Sequence, residues 1–214
     1  MNVIAFLLSV VLGPAPTSAA PLIQAAAADE HADIYVIYSI LMTNPATSHG
    51  PSTDELYLIS EMTRRGHPEE PCVRVPPQYQ MAYQETLDEY HRRKDKPVKL
   101  ERALNIAKPY VLLNPEQVAQ FIDNNHVRPT PYPNPHARFR IATDLFWLGD
   151  VYFNKAHTLA LTAFATYCGS ACGIVQWRVF EKSTARWEER PWGCGGIALI
   201  EQRIIASAAR IPLP

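Results

Sequence analysis

The sequence predicts an α+β fold in which N-terminal helices pack on a C-terminal antiparallel β-meander. Three observations predict it. Apolar residues of the N-terminal half recur at helical spacing, the segment beginning at Asn114 carries its own capping residues, and from Leu145 onward short β-rich runs follow one another across short turns. The 214 residues suit one domain, drawn at 29–210, behind an N-terminal address segment. At 47% hydrophobic and 19% charged, the chain can bury a core. Its 20 Lys and Arg against 21 Asp and Glu leave a net charge of -1, so no phosphate-tracking surface and no nucleic-acid partner are expected.

The first residues read as an export signal. Val3 to Leu12 is apolar, Gly13, Pro14 and Pro16 break it, and the small residues Thr17 to Ala20 follow. The run is too short to span a bilayer, and no later run is longer, so no membrane span is expected once the signal is removed. The signal is drawn at 1–20, with a cut as late as Ala28 also open. That later cut would leave Asp29-Glu30-His31 as the amino terminus, a set that can wrap Cu(II); the plainer reading is a solvated helix start, and no metal or cofactor is expected.

Ile34, Ile37, Tyr38 and Leu41 share one helical face, which predicts a helix over 30–42, stopped by Asn44-Pro45. Leu56 to Ile59 reads as a short strand. Tyr83, Leu87 and Tyr90 mark a helix over 78–93, and the basic residues from Arg92 to Lys99 read as its solvated end. Tyr110 to Leu113 is a short apolar piece. Asn114-Pro115-Glu116-Gln117 then supplies a cap, a proline at the first helical position and a glutamine at the third, with Val118, Phe121 and Ile122 as the buried stripe. Pro129, Pro131, Pro133 and Pro135 make an extended connector. The expected strands are 145–153, 158–167, 175–181 and 186–189, with turns at 154–157, 168–173 and 183–185. In the third, Val175, Trp177 and Val179 point inward and Gln176 and Arg178 outward. Whether 204–209 is strand or helix stays open.

Four cysteines behind an export signal favour disulfides. Three pairings are possible; Cys168 and Cys172 flank one tight turn and are expected to bond, leaving Cys72 with Cys194. A zinc site from Cys168, Cys172, Cys194 and His157 lacks a second ligand pair at knuckle spacing. A papain-like reading of Cys168-Gly169-Ser170-Ala171-Cys172 fails on the inserted Ala171 and on the lack of any histidine after His157.

The stretch Phe153-Asn154, Thr158, Ala160-Leu161, Cys168-Gly169, Cys172-Gly173, Trp177, Lys182 and Trp187 resembles a motif of an uncharacterised family of secreted bacterial proteins. There a strand ending Phe-Asn turns into Thr-x-Ala-Leu, then Cys-Gly-x-x-Cys-Gly, a further strand, a lysine turn and a tryptophan. Tyr35 to Ser39 and Tyr110 to Leu113 are also similar. The turns at 155–157 and 183–185 lack the Asp-Gly such proteins carry. The resemblance implies a secreted fold and a structural role for Cys168 and Cys172, and no reaction. A curved sheet with helices is also similar to nuclear-transport-factor-like and cystatin-like rolls, which would imply a cavity.

No phosphate loop, nucleophile elbow or His-Glu-x-x-His is present. Asp144 and Asp150 sit six apart on one expected strand, roughly 20 Å along it, too far for a glycosidase pair. The sequence therefore favours a non-catalytic ligand- or partner-binding domain over a hydrolase assembled from scattered residues. Trp147, Tyr152, Phe164 and Trp177 are its candidate ligand-facing aromatics, though core packing is the commoner use of such residues.

Overall fold

The computed structural model describes residues 20–43, 45–47, 50–51, 55–63, 70–126, 144–169, 173–184 and 186–197. Helix α1 (Ala20–Thr43) precedes a tiny hairpin of β1 (Ala46–Thr47) and β2 (Gly50–Pro51). Strand β3 (Tyr57–Ser60), helix α2 (Gln80–Arg93), strand β4 (Tyr110–Leu113) and helix α3 (Pro115–His126) follow. Strands β5 (Leu145–Phe153), β6 (Leu159–Tyr167), β7 (Gly173–Ser183) and β8 (Arg186–Ile197) complete the main sheet. A 3-10 turn, Pro77–Tyr79, leads into α2.

The six-stranded sheet runs β4-β3-β5-β6-β7-β8. β5 to β8 form the expected antiparallel meander. The first two strands do not: β3 pairs parallel with both β4 and β5, so α2 is a crossover and the sheet is mixed. All four residues of β3 are buried, the polar Ser60 included, as befits a strand covered on both faces.

The curved-roll analogy implies helices on one face of the sheet; here they cover both. Tyr35, Ile37, Tyr38, Leu41 and Met42 of α1 pack with Tyr57, Ile59, Phe146, Phe153, Phe180 and Trp187. On the opposite face α3 packs Val118, Phe121 and Ile122 on Leu58, Trp147 and Tyr167, and α2 packs Tyr83 and Tyr90 on Tyr152, Leu161, Trp177 and Val179. The outcome is three layers rather than a one-sided roll. The physical reason lies in β5 and β6, every residue of which is buried: both faces are apolar, so both need a cover.

A β-bulge in β5 sets which side chains reach which layer. Leu148 opposes Phe164 but Val151 opposes Thr162, leaving one extra residue on β5. Before it Phe146 and Leu148 face α1; after it Val151 and Phe153 do. Gly149 sits at the closest approach, where a Cβ would lie 2.8 Å from the Ala163 carbonyl oxygen. Its own carbonyl accepts from the Tyr38 hydroxyl at 2.9 Å and the Thr162 hydroxyl at 3.1 Å. The bulge also separates Asp144 from Asp150, so the alternation that put them on one face is broken.

Among the described residues, no helix is long and apolar enough to cross a membrane. The signal segment, the proline connector, His136, Cys172 and 204–209 lie outside the described residues, save that 20–28, spanning the later cut, is helical backbone.

Candidate functional site

Of the predicted aromatics, Trp147 is 7% exposed and packs toward α3, while Phe164 at 1% faces α1. Tyr152 and Trp177 are brought together, both edge-on to Tyr90 at 5.2 Å. Burial raises the hydroxyl pKa of Tyr90 and Tyr152, and pushes Tyr83 up to about 12. These tyrosines are neutral core groups, not bases.

Cys72 and Cys194 are bonded across a sequence separation of 122, the pairing left by elimination. Cys168 is also disulfide-bonded. Cys194 is therefore no thiolate, which removes it from the zinc alternative. No group of three or more His, Cys, Asp and Glu among the described residues is placed to hold a metal.

Two clusters merit comparison as sites. The first gathers Asp33 from α1, His157 from the β5–β6 turn, and Lys182 and Trp187 from β7 and β8. One oxygen, Asp33 Oδ2, takes His157 Nε2 at 2.9 Å and Lys182 Nζ at 2.6 Å. Burial of Asp33 opposes its charge, but Lys182, Trp187 and His157 together outweigh that, and the carboxyl pKa falls below the ordinary 3.8. The Trp187 indole N–H favours the carboxylate by proximity without reaching hydrogen-bond geometry. His157 stacks on Phe153 at 4.1 Å and sits at φ 54°, a left-handed conformation histidine tolerates better than branched residues. Asn154 builds the turn by accepting from the Thr158 and Leu159 amides, both at 2.8 Å.

This arrangement looks like a His–Asp dyad but is turned the wrong way for base catalysis. The outer nitrogen, Nε2, is spent on the carboxylate, which leaves Nδ1, beside the residue's own backbone, as the remaining acceptor. Lys182 neutralises the same carboxylate. The cluster ties α1 to two hairpin turns. Its members Phe153, Asn154, Thr158, Lys182 and Trp187 all belong to the quoted motif; Asp33 carries no sequence signal beyond its place near the start of a helix, and His157 enters only as a turn residue and a zinc alternative.

The second cluster lies on the α2 side of the sheet at its outer strand. The Tyr79 and Trp192 rings meet at 4.6 Å, tilted by 48°, and both are half-buried. The Tyr79 hydroxyl donates to Glu181 Oε1 at 2.7 Å, which raises its pKa. Arg190 Nε donates to Glu181 Oε2 at 2.8 Å. The Arg74 amide donates to the Trp192 carbonyl at 3.2 Å, and the Cys72–Cys194 bond lies two residues away. Sequence reasoning missed this patch because Tyr79 and Trp192 are 113 positions apart; the only signal was the paired cysteines that flank it.

Fold and site thus define a three-layer α+β domain whose outer strand is clamped by a disulfide. No protein-family model, curated protein or solved structure matches the chain.

Proposed function

We propose that this chain is an exported, non-catalytic binding domain that engages a protein partner along the outer edge of β8. The carrying observation is the half-buried Tyr79–Trp192 pair with Arg190 beside it. Trp, Tyr and Arg are the residues that dominate protein contacts, because each offers a large rigid surface with a polar tip. The disulfides support export, since such bonds persist in oxidising compartments. The resemblance to secreted bacterial proteins points the same way. The engaged outer nitrogen of His157 favours this reading over a hydrolase.

A photo-crosslinking residue placed at the exposed position 188 of β8, in the chain expressed by an exporting host, tests the reading. The expected result is a discrete adduct that excess wild type competes away and the Tyr79→Ser variant does not. The partner so identified should bind purified wild type and lose about tenfold or more in affinity on Trp192→Ala. No adduct at 188 would overturn the binding surface. Turnover of ester, peptide or glycoside substrates that His157→Ala abolishes and Trp192→Ala preserves would make the protein a hydrolase instead.

A further inference from the structure

We propose that the Cys72–Cys194 disulfide is a redox latch: a dithiol reductant frees residues 70–76 from the edge of β8 while the sheet stays folded. The inference concerns the fold and holds whether or not the Tyr79–Trp192 patch binds a partner.

Residues 70–76 form no helix or strand. Among the described residues their noncovalent hold is thin. The Arg74 amide reaches the Trp192 carbonyl at 3.2 Å and the Tyr83 hydroxyl reaches the Pro71 carbonyl at 3.4 Å. Glu70 meets His91 at 3.4 Å, both well exposed, where an ion pair contributes little. Val73 and Val75 are half-buried against the Trp177 and Val179 cluster. β8, in contrast, follows β7 by a short turn and pairs with it from Ser183–Arg186 to Ile174–Ile197. None of that ladder depends on Cys72. The bond therefore secures a weakly held strap to a strand that stands without it.

The bond is also reachable. Cys72 is exposed and Cys194 half-buried at the rim of the sheet, so an attacking thiolate has access. A reductant of the dithiol class, protein or small molecule, attacks one sulfur and forms a mixed disulfide as the S–S bond breaks. Its second thiol then displaces the remaining sulfur. Two electrons and two protons end on Cys72 and Cys194, and the reductant leaves as its own disulfide. Pro191 and the register shift between Trp177 and Val179 already interrupt β8 beside the strap, so releasing it opens a short, irregular stretch of edge.

The test uses the full oxidised chain titrated with dithiothreitol, with cysteine alkylation mapped by mass, tryptic cleavage after Arg74, and hydrogen exchange. Cys72 and Cys194 should label together. Cleavage after Arg74 should then accelerate about tenfold or more, while exchange protection of β5, β6 and β7 is retained. The Cys72→Ser/Cys194→Ser double variant should show the same pattern with no reductant. Unchanged cleavage once both cysteines are labelled overturns the proposal. So does loss of protection across β5 to β7 in step with the strap, or a double variant that fails to fold.

Discussion

Asp33 shows how much one half-buried carboxylate can organise. It takes a proton donor from the β5–β6 turn and another from β7 on a single oxygen, so two hairpin ends and α1 share one charge. Asp33→Asn leaves Lys182 without its counter-charge, and we expect it to cost about 1–2 kcal/mol at neutral pH. The sign of the pH dependence follows from the lowered carboxyl pKa. A group whose folded pKa is depressed contributes above its unfolded value and loses the contribution as pH falls through the folded one. The gap between wild type and Asp33→Asn should therefore persist above 3.8 and close below it, which thermal melts across acid pH will show. Asp33 was not legible as a site residue and His157 was read only toward zinc, because each lies in a segment whose own pattern explains it, one as a helix start and the other as a turn.

The elements separate into those that local chemistry specifies and those that neighbours specify. Helix α3 is of the first kind. Asn114 Oδ1 accepts from the Gln117 amide at 2.9 Å and Gln117 Oε1 accepts from the Asn114 amide at 3.0 Å, the reciprocal cap read from the sequence. Asn114→Ala should lower stability by about 1 kcal/mol in a denaturant titration. The β5 bulge is of the second kind, since nothing in Leu148-Gly149-Asp150 distinguishes a bulge from plain strand. Only the ladder to β6 reveals that a Cβ at Gly149 would strike the Ala163 backbone. Gly149→Ala should cost about 2–3 kcal/mol, and chemical-shift changes should concentrate at Tyr38 and Thr162, whose hydroxyls bond the displaced carbonyl. The basic run at 92–99 divides as well: Arg92 pairs with Glu89 on its own helix and Lys99 meets Glu61 at 3.3 Å, whereas Arg93 turns inward.

Arg93 is where the layers of the whole molecule meet. Among the described residues β3 pairs with β5 only at Leu145 and Phe146, so the rest of that side of β5 lacks a strand partner there. Arg93 closes it, bonding Asp150 at 2.6 Å and the Val151 carbonyl at 3.1 Å. It also meets Glu30 of α1 at 3.5 Å and lies over the Tyr152 ring at 5.6 Å. Asp150 is buried, so Arg93→Ala strands a carboxylate. We expect a loss of about 2–4 kcal/mol, with the Arg93→Ala/Asp150→Ala double variant losing less than the sum of the singles in equilibrium unfolding.

Although α1 begins at Ala20 rather than 30 and β8 runs to Ile197 rather than 189, the sequence alone carries the α+β class, the presence of three helices and four C-terminal strands, the α3 cap and Cys72–Cys194 as one of three possible pairings. Each rests on spacing, capping or counting, which are local or combinatorial properties of the chain. The parallel entry of β3, the cover of helices on both faces, and the meetings of Asp33 with His157 and of Tyr79 with Trp192 are visible in the folded chain alone. The physical reason is that a short apolar run such as Leu56 to Ile59 carries no mark of its partner or its direction. Its place is fixed by burial against residues far away in the chain, and the sites at the sheet's ends and edge are made from those same distant meetings.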